Sequence, residues 1–356
     1  MTKKALIAMS GGVDSSVSAK IMVDRGYECI GCTMKLYDNE DVGISKSKTC
    51  CSLNDTLDAK TVAYSLGMQY YVLNYKDDFY EKVICRFIDN YENGCTPNPC
   101  IDCNRYMKFE KLFDAAKSLG FEYIVTGHYA RIEFDGEKYL LKKAVDESKD
   151  QSYVLYNMTQ YQLSHTIFPL GDMNKSETRK IAEENGFINA DKPDSQDICF
   201  VPDGDYAKVI ERYTGKTYGK GNFVDKNGNV LGEHNGIIRY TVGQRRNLGI
   251  TFGKPVYVTK INAKDNTVTL GEAEDLLSKE AVVADFNWIS GVVPENSFRC
   301  KAKIRYKKSE EWATVEILDD KTVKLIFDEP QRAITPGQSA VLYDGDIVLG
   351  GGIIVN

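Results

Sequence analysis

The chain predicts an α/β fold: a doubly wound parallel sheet followed by a small β domain and a C-terminal β-barrel. Three observations lead there. An apolar run fit for a buried strand, Ala5 to Met9, feeds Ser10-Gly11-Gly12 and then a helical pattern from Asp14. Strand and helix patterns keep alternating to about residue 205, the arrangement that builds a parallel sheet with ligands at the carboxyl ends of its strands. Beyond Gly215 the texture changes to short strands separated by tight turns.

Taken in order, Val17, Ile21 and Met22 give the first helix an apolar face that ends near Gly26. Tyr27 to Met34 reads as a second buried strand, Asp55 to Leu66 as a helix closed by Gly67, and Gln69 to Asn74 as a third strand. Phe79, Val83, Phe87 and Tyr91 recur on one helix face. Phe109, Leu112, Phe113 and Ala116 mark the next helix, which leads through Gly120 to a strand from Tyr123 to Thr126 and then Gly127-His128. Asp135-Gly136 is a hairpin turn between Ala130 to Phe134 and Tyr139 to Leu141. Helical patterns return at Thr159 to His165, Lys175 to Asn185 and Asp205 to Tyr213. We expect one domain over residues 1–205 and a small central β domain over 216–275, with Pro255 to Ile261 pairing with Thr267 to Leu270. A β-barrel is expected over 281–356, its turns at Asp319-Asp320, Thr335-Pro336-Gly337 and Asp344-Gly345.

Hydrophobic content of 42% and charged content of 27% are those of a soluble globular protein. No apolar run approaches the roughly 20 residues of a membrane span, and no signal peptide precedes the first strand, so a cytoplasmic protein without membrane partners is expected. Ten cysteines spread through so long a chain predict reduced thiols, with a subset used for chemistry or metal. The net charge of −6 gives no global attraction to nucleic acid, so RNA contact must come from local basic faces.

In Ser10-Gly11-Gly12 the glycines let backbone N–H groups approach an anion. Ser10, Ser15 and Ser16 add hydroxyls, and the following helix presents its positive end. There is no Gly-Lys-Ser/Thr ending and no Gly-x-Gly-x-x-Gly fingerprint, which argues against the commoner nucleotide loops. The motif resembles instead the PP-loop of the ATP pyrophosphatases, with their adenine nucleotide α-hydrolase-like fold; these adenylate a carbonyl oxygen and release pyrophosphate.

A second stretch, Cys95 to Phe109, carries Cys100 and Cys103 at Cys-x-x-Cys spacing, in a loop stiffened by Pro97 and Pro99 and placed just before a helix. A thiolate at a helix N-terminus has a lowered pKa, so one of the pair is expected to be nucleophilic; a metal or redox role fits the spacing equally. Cys199 stands among acidic neighbours in Pro193-Asp194-Ser195-Gln196-Asp197-Ile198-Cys199.

These motifs, with Met34-Lys35, Thr96-Pro97-Asn98-Pro99, Cys103-Asn104, Thr126-Gly127-His128, Lys149-Asp150-Gln151-Ser152, Tyr240 to Arg245 and Thr335 to Gln338, fall in an order that resembles the tRNA-specific 2-thiouridylases, the MnmA/TrmU family. The resemblance implies adenylation of the C2 oxygen of the wobble uridine in the tRNAs for Lys, Glu and Gln, followed by sulfur transfer. By motif, Ala8, Met9, Ser10, Gly11, Gly12, Val13, Asp14, Ser15, Met34 and Gly127 would bind ATP. Asn98, Pro99 and Cys100 would meet the target base, and Cys103 and Cys199 would be the catalytic pair. His128, Lys149, Asp150, Gln151, Arg305, Tyr306 and Gln338 would touch the anticodon stem-loop. A cysteine desulfurase or sulfur-relay protein would supply the sulfur.

Many family members have Asp where this chain has Cys100. That difference leaves two sulfur routes: a persulfide on Cys199 resolved by Cys103 through a disulfide, or a 4Fe–4S cluster held by Cys100, Cys103 and Cys199 with one iron open to sulfide. The third thiol favours the cluster. Mg²⁺ would neutralise the triphosphate, with Asp14 the nearby carboxylate unless it caps the helix. Lys301, Lys303, Arg305 and Lys307 alternate with Ala302, Ile304 and Tyr306, and on a strand they would form one basic stripe for phosphates. Rival readings are another PP-loop synthetase and an ATP-gated RNA-binding or Fe–S carrier protein; pyrophosphate release that depends on tRNA separates them from the thiouridylase.

Overall fold

In the computed structural model, residues 2–40, 53–194, 198–251 and 253–355 are described. Cys50, Cys51 and Ser195 to Asp197 lie outside them. The first sheet is parallel, in the order β3 (Gln69–Asn74), β2 (Glu28–Lys35), β1 (Lys4–Ala8), β4 (Tyr123–Val125), β7 (Thr166–Ile167). From Ala5 to Ala8 its central strand is apolar at every position because both of its faces are covered. Ala5 and Ile7 pack with Val13, Val17 and Met22 of α1 (Val13–Asp24). Leu6 packs on the opposite face with Leu112, Phe113 and Ala116 of α6 (Leu112–Ser118). The strand order reverses between β1 and β4, so the crevice for a ligand opens beyond their carboxyl ends, at Ser10 and at Thr126.

α2 (Leu53–Ser65) stands between β2 and β3 in the chain. Two helical runs follow β3. The first passes from α3 (Lys76–Phe79) through a π-helical turn, Tyr80–Ile84, into α4 (Cys85–Glu92). The second begins with α5 (Pro99–Asp102), continues as a π-helix over Cys103–Lys111 and ends in α6. Such π-helical insertions concentrate at functional sites, and Cys103 opens the longer one.

The hairpin of β5 (Ala130–Phe134) and β6 (Tyr139–Lys143) forms as its Asp-Gly turn predicts, yet it joins the C-terminal sheet through Ile347↔Lys142. The reason is burial: Ala130 and Leu141 share an apolar cluster with Tyr153, Tyr156, Val341 and Tyr343. Then come α7 (Gln160–Ser164), α8 (Lys175–Glu184) and α9 (Tyr206–Thr214).

The central sheet runs β10 (Tyr257–Asn262), β11 (Thr267–Gly271), β8 (Gly221–Val224), β9 (Val230–His234). Phe223, Val258 and Val268 from it pack in one core with Phe79, Val83, Phe87 and Phe200. The last six strands, β12 (Leu277–Trp288), β13 (Phe298–Lys303), β14 (Glu311–Asp319), β15 (Thr322–Arg332), β16 (Ser339–Asp344) and β17 (Ile347–Ile354), close into a barrel where β12 pairs with β17.

The basic stripe does not form. β13 ends at Lys303, and the chain turns at Ile304, so Arg305 leaves the face that carries Lys301 and Lys303. Among the described residues no disulfide joins the cysteines, and no helix is long and apolar enough to cross a membrane.

Candidate active site

The loop after β1 is held from within by its serines. Ser15 Oγ accepts from Ser10 N–H at 3.2 Å and donates to Gly12 O at 3.0 Å, and Ser16 Oγ donates to the same carbonyl at 3.1 Å. Gly11 takes φ +78°, and a Cβ there would fall 2.3 Å from the Asp55 carbonyl oxygen of α2. A Cβ on Gly127 would lie 2.9 Å from both the Asp14 carbonyl carbon and the Ser15 nitrogen. Both glycines therefore permit close backbone approach, and they bring the strand ends of β1 and β4 together around one cradle.

Cys103 and Cys199 lie half-buried against the apolar cluster on which Met34 also packs. Cys100 is exposed at the first turn of α5, its N–H donating to Asn98 Oδ1 at 3.2 Å. Asn98 is thus the N-cap, followed by buried Pro99. The loop before it is gripped by both C-terminal units. Thr96 N–H donates to Pro336 O at 2.8 Å, Gln338 Nε2 donates to Thr96 O at 2.7 Å, and Thr96 Oγ1 bonds Thr241 Oγ1 at 3.3 Å. Three distant motifs therefore meet at Thr96.

Comparison with known proteins agrees with this geometry. The tRNA methyl transferase HUP domain matches residues 3–203, the tRNA methyl transferase PRC-barrel domain 207–272 and the aminomethyltransferase β-barrel domain 278–354. The tRNA-specific 2-thiouridylase MnmA of Clostridioides difficile (strain 630) is 52% identical over 356 residues, covering 99% of this chain and 98% of its own. The enzyme of that name from Acetivibrio thermocellus is 53% identical over 355 residues, 99% of each chain. This chain belongs to the tRNA-specific 2-thiouridylase family. A solved complex of a 4-thiouridine synthetase with RNA and bound ATP is 19% identical, with a TM-score of 0.38 over 59% of this chain and 50% of that one, too remote to carry an argument.

Within this 2-thiouridylase fold several expected roles change. Asp14 is neither cap nor open carboxylate: Gly12 is the N-cap, and Asp14 accepts from Lys175 Nζ at 2.7 and 2.8 Å and from Tyr129 O–H at 3.0 Å. Cys103 does not have a lowered pKa. It lies beyond the first helical turn, and burial pushes its thiol up to about 11 against the opposing pull of Lys108. His128 is buried and held neutral, its pKa driven well down by burial and by Lys108. Since an ammonium only donates, Lys108 Nζ donates a hydrogen bond to Nε2 at 3.2 Å, leaving Nδ1–H to donate to Thr126 Oγ1 at 2.7 Å.

The expected RNA contacts divide in the same way. Asp150 accepts from Ala144 N–H, Ser152 N–H and Ser152 O–H, and Gln151 Oε1 accepts from Tyr129 N–H, so both half-buried residues shape the loop. Gln338 is engaged with Thr96, as above. Tyr306 is exposed, its hydroxyl donating to Asp150 O at 3.1 Å, and Lys303 lies over its ring. Arg305 turns into the seam between the central domain and the barrel, where Nη2 donates to Val242 O, Ala333 O and Thr335 Oγ1. Arg305→Met is therefore expected to lower stability by about 2–4 kcal/mol through three abandoned buried acceptors. The salt slope of tRNA binding should stay unchanged; a flattened slope with normal stability would return Arg305 to the RNA surface.

Four residues that the motif reading missed also build the site. Asn189 Nδ2 donates to Gly11 O and Ser16 Oγ, and Lys192 Nζ lies 3.2 Å from Gly11 O while pairing with Asp55 and Asp58. Lys175 bridges Asp14 and Asp194, and Asp194 also pairs with Lys149 and Arg179. A lysine three residues before Ser195 and a lysine two before Glu177 were visible, but nothing local ties either to residue 11 or 14.

Burial alone would raise the Asp194 carboxyl, but hydrogen bonds from Lys149 and Lys175 outweigh it and lower the pKa to about 2. The sign follows: this stabilisation is complete above the unfolded value of about 3.9 and is lost as pH falls toward 2. Denaturant midpoints measured from pH 5 down to pH 2 should drop more steeply in the wild type than in Asp194→Asn. Parallel curves would show that the network adds nothing to stability.

Proposed function

We infer that the protein is an ATP-dependent tRNA 2-thiouridylase. The observation that carries the inference is the hold of both C-terminal domains, at Thr96, on the loop leading into the cysteine helix, in a chain whose first strand ends in a serine-laced PP-loop. In this reading ATP binds at Ala8 to Ser15, Met34 and Gly127, and the target uridine enters beside Asn98, Pro99 and Cys100. The wobble uridine of the tRNAs for Lys, Glu and Gln is the proposed base, with the reaction in the cytoplasm.

The chemistry runs in balanced steps. The uridine C2 oxygen attacks the α-phosphorus of ATP, forming an O–P bond as the bond to pyrophosphate breaks. This matters because a urea-like carbonyl has no good leaving group until its oxygen is carried by AMP. A persulfide on Cys199, delivered by a cysteine desulfurase or sulfur-relay protein, then attacks C2 through its terminal sulfur, and AMP departs with the former oxygen. The Cys103 thiolate attacks Cys199 Sγ, leaving sulfur on the base and a Cys103–Cys199 disulfide, which an external thiol reductant returns to two thiols.

The thiol set expected for a 4Fe–4S cluster does not fit as arranged. Among the described residues no group of three or more His, Cys, Asp or Glu is gathered for a metal. Cys100 is exposed, close enough to Tyr306 and to Cys103 for its charge to act on both, while Cys103 and Cys199 pack against the apolar cluster. Asp14 fits Mg²⁺ no better, since Lys175 and Tyr129 already engage it. A metal accompanying the triphosphate would be held chiefly by phosphate oxygens, neutralising their charge.

Pyrophosphate release from ATP, with and without unmodified tRNA, tests the reading. Release only with tRNA is expected; equal release without RNA would point to a small-molecule synthetase.

A further inference from the structure

The turn carrying Cys103 is held from two sides by charged groups that the chemistry above does not use. On one side Arg86 Nε of α4 donates to Asp102 Oδ1 at 3.2 Å. On the other, Arg105 Nη1 donates to Asp285 Oδ2 at 2.5 Å, a contact that joins the cysteine helix to the barrel. Asp102 feels the charges of both Arg105 and Asp285, so the two pairs act on one turn.

Asp285 is an unusual strand residue. It sits where β12 stops pairing with β15 after Val283 and continues on β17, with one extra residue between Ala284 and Asn287. Its φ is +48°, a backbone shape that non-glycine residues rarely take, Asn and Asp more readily than most. β17 makes room for the bulge with Gly350, Gly351 and Gly352. Added Cβ atoms there would lie 2.4 Å from Asn287 O, 2.7 Å from Tyr156 Cγ and 2.6 Å from Ala284 O. Asn287 Nδ2 in turn donates to Tyr156 O at 2.6 Å. The bulge and the glycines form a socket for the chain at Tyr156, and Asp285 is the charged group aimed from that socket at the cysteine helix.

An ion pair with a third or more of each side chain exposed, here 33% and 43%, stabilises a fold little. Stability alone does not account for a strained aspartate in place of a glycine, and such strain clusters where function requires it. We propose that Asp285 is a positioning residue for sulfur transfer: the barrel holds Arg105, and through it sets the Cys103 turn against the adenylated base. This rests on the thiouridylase reading.

Asp285→Asn keeps a residue type tolerant of positive φ and removes the charge. Its tRNA-dependent pyrophosphate release should stay within about twofold of wild type, while 2-thiouridine formed per pyrophosphate released falls about tenfold, as for a reacting group displaced from its geometry. Arg105→Lys, which keeps a cation, should retain more of that ratio than Arg105→Gln. An unchanged ratio in Asp285→Asn overturns the inference, as does a fall of both products together with the thermal midpoint. A wild type that forms neither product refutes the thiouridylase reading and this inference with it.

Discussion

Cys199→Ala is expected to lose 2-thiouridine formation by at least about a thousandfold while pyrophosphate release in the presence of tRNA continues within a few-fold, because the variant would lack the proposed sulfur-bearing nucleophile and keep the proposed adenylation site. Cys103→Ala should fail at a later point. With no resolving thiol, the base remains joined to Cys199 through two sulfurs, so protein and tRNA migrate together on a denaturing gel until a thiol reductant separates them. A Cys103→Ala variant that turns over normally with no such adduct would remove Cys103 from the sulfur route. Since burial sets the Cys103 thiol at about 11, the thiolate is the scarce form near neutrality. Resolution of the adduct should therefore speed up as pH rises toward that value, provided the fold persists.

Gly11→Ala is expected to remove ATP-dependent activity almost entirely. The added Cβ would need φ +78°, strained for alanine, and would sit 2.3 Å from the Asp55 carbonyl oxygen and 2.7 Å from its carbon. Both are backbone atoms at the start of α2, so no side chain can swing aside, and the loop must leave the position proposed to cradle the phosphates. Gly26→Ala, at φ +78° with no atom within 4 Å of the added Cβ, carries the strain without the clash. Activity lost in Gly11→Ala and kept in Gly26→Ala is the expected pair; equal activity in both would mean that the loop does not cradle the nucleotide.

What could be read in advance was local. The run from Ala5 to Met9 is apolar at every position because both its faces are covered, and that pattern needs no knowledge of the partners. The Gly-Gly loop, the Asp135-Gly136 turn and the change of texture after Gly215 are equally short-range signals. What escaped was carried by contacts between distant parts of the chain. Lys192 reaches the Gly11 carbonyl across 181 residues, and Lys175 reaches Asp14 across 161. The stripe from Lys301 to Lys307 failed for a related reason. Alternation predicts one face only while the strand lasts, and β13 stops at Lys303, so Arg305 becomes a half-buried tie between domains. The burial of His128 was not legible either, because Phe109 and Phe168, which pack against its ring, come from distant segments.

The most direct test of the account is a single reaction of the purified protein with unmodified tRNA, ATP and a persulfide donor, in which AMP, pyrophosphate and 2-thiouridine are counted together. The account predicts the three in equal amounts, none of them without tRNA, and no thiouridine from Cys199→Ala. Thiouridine formed in full by Cys199→Ala, or pyrophosphate released at the same rate with no RNA present, would contradict it.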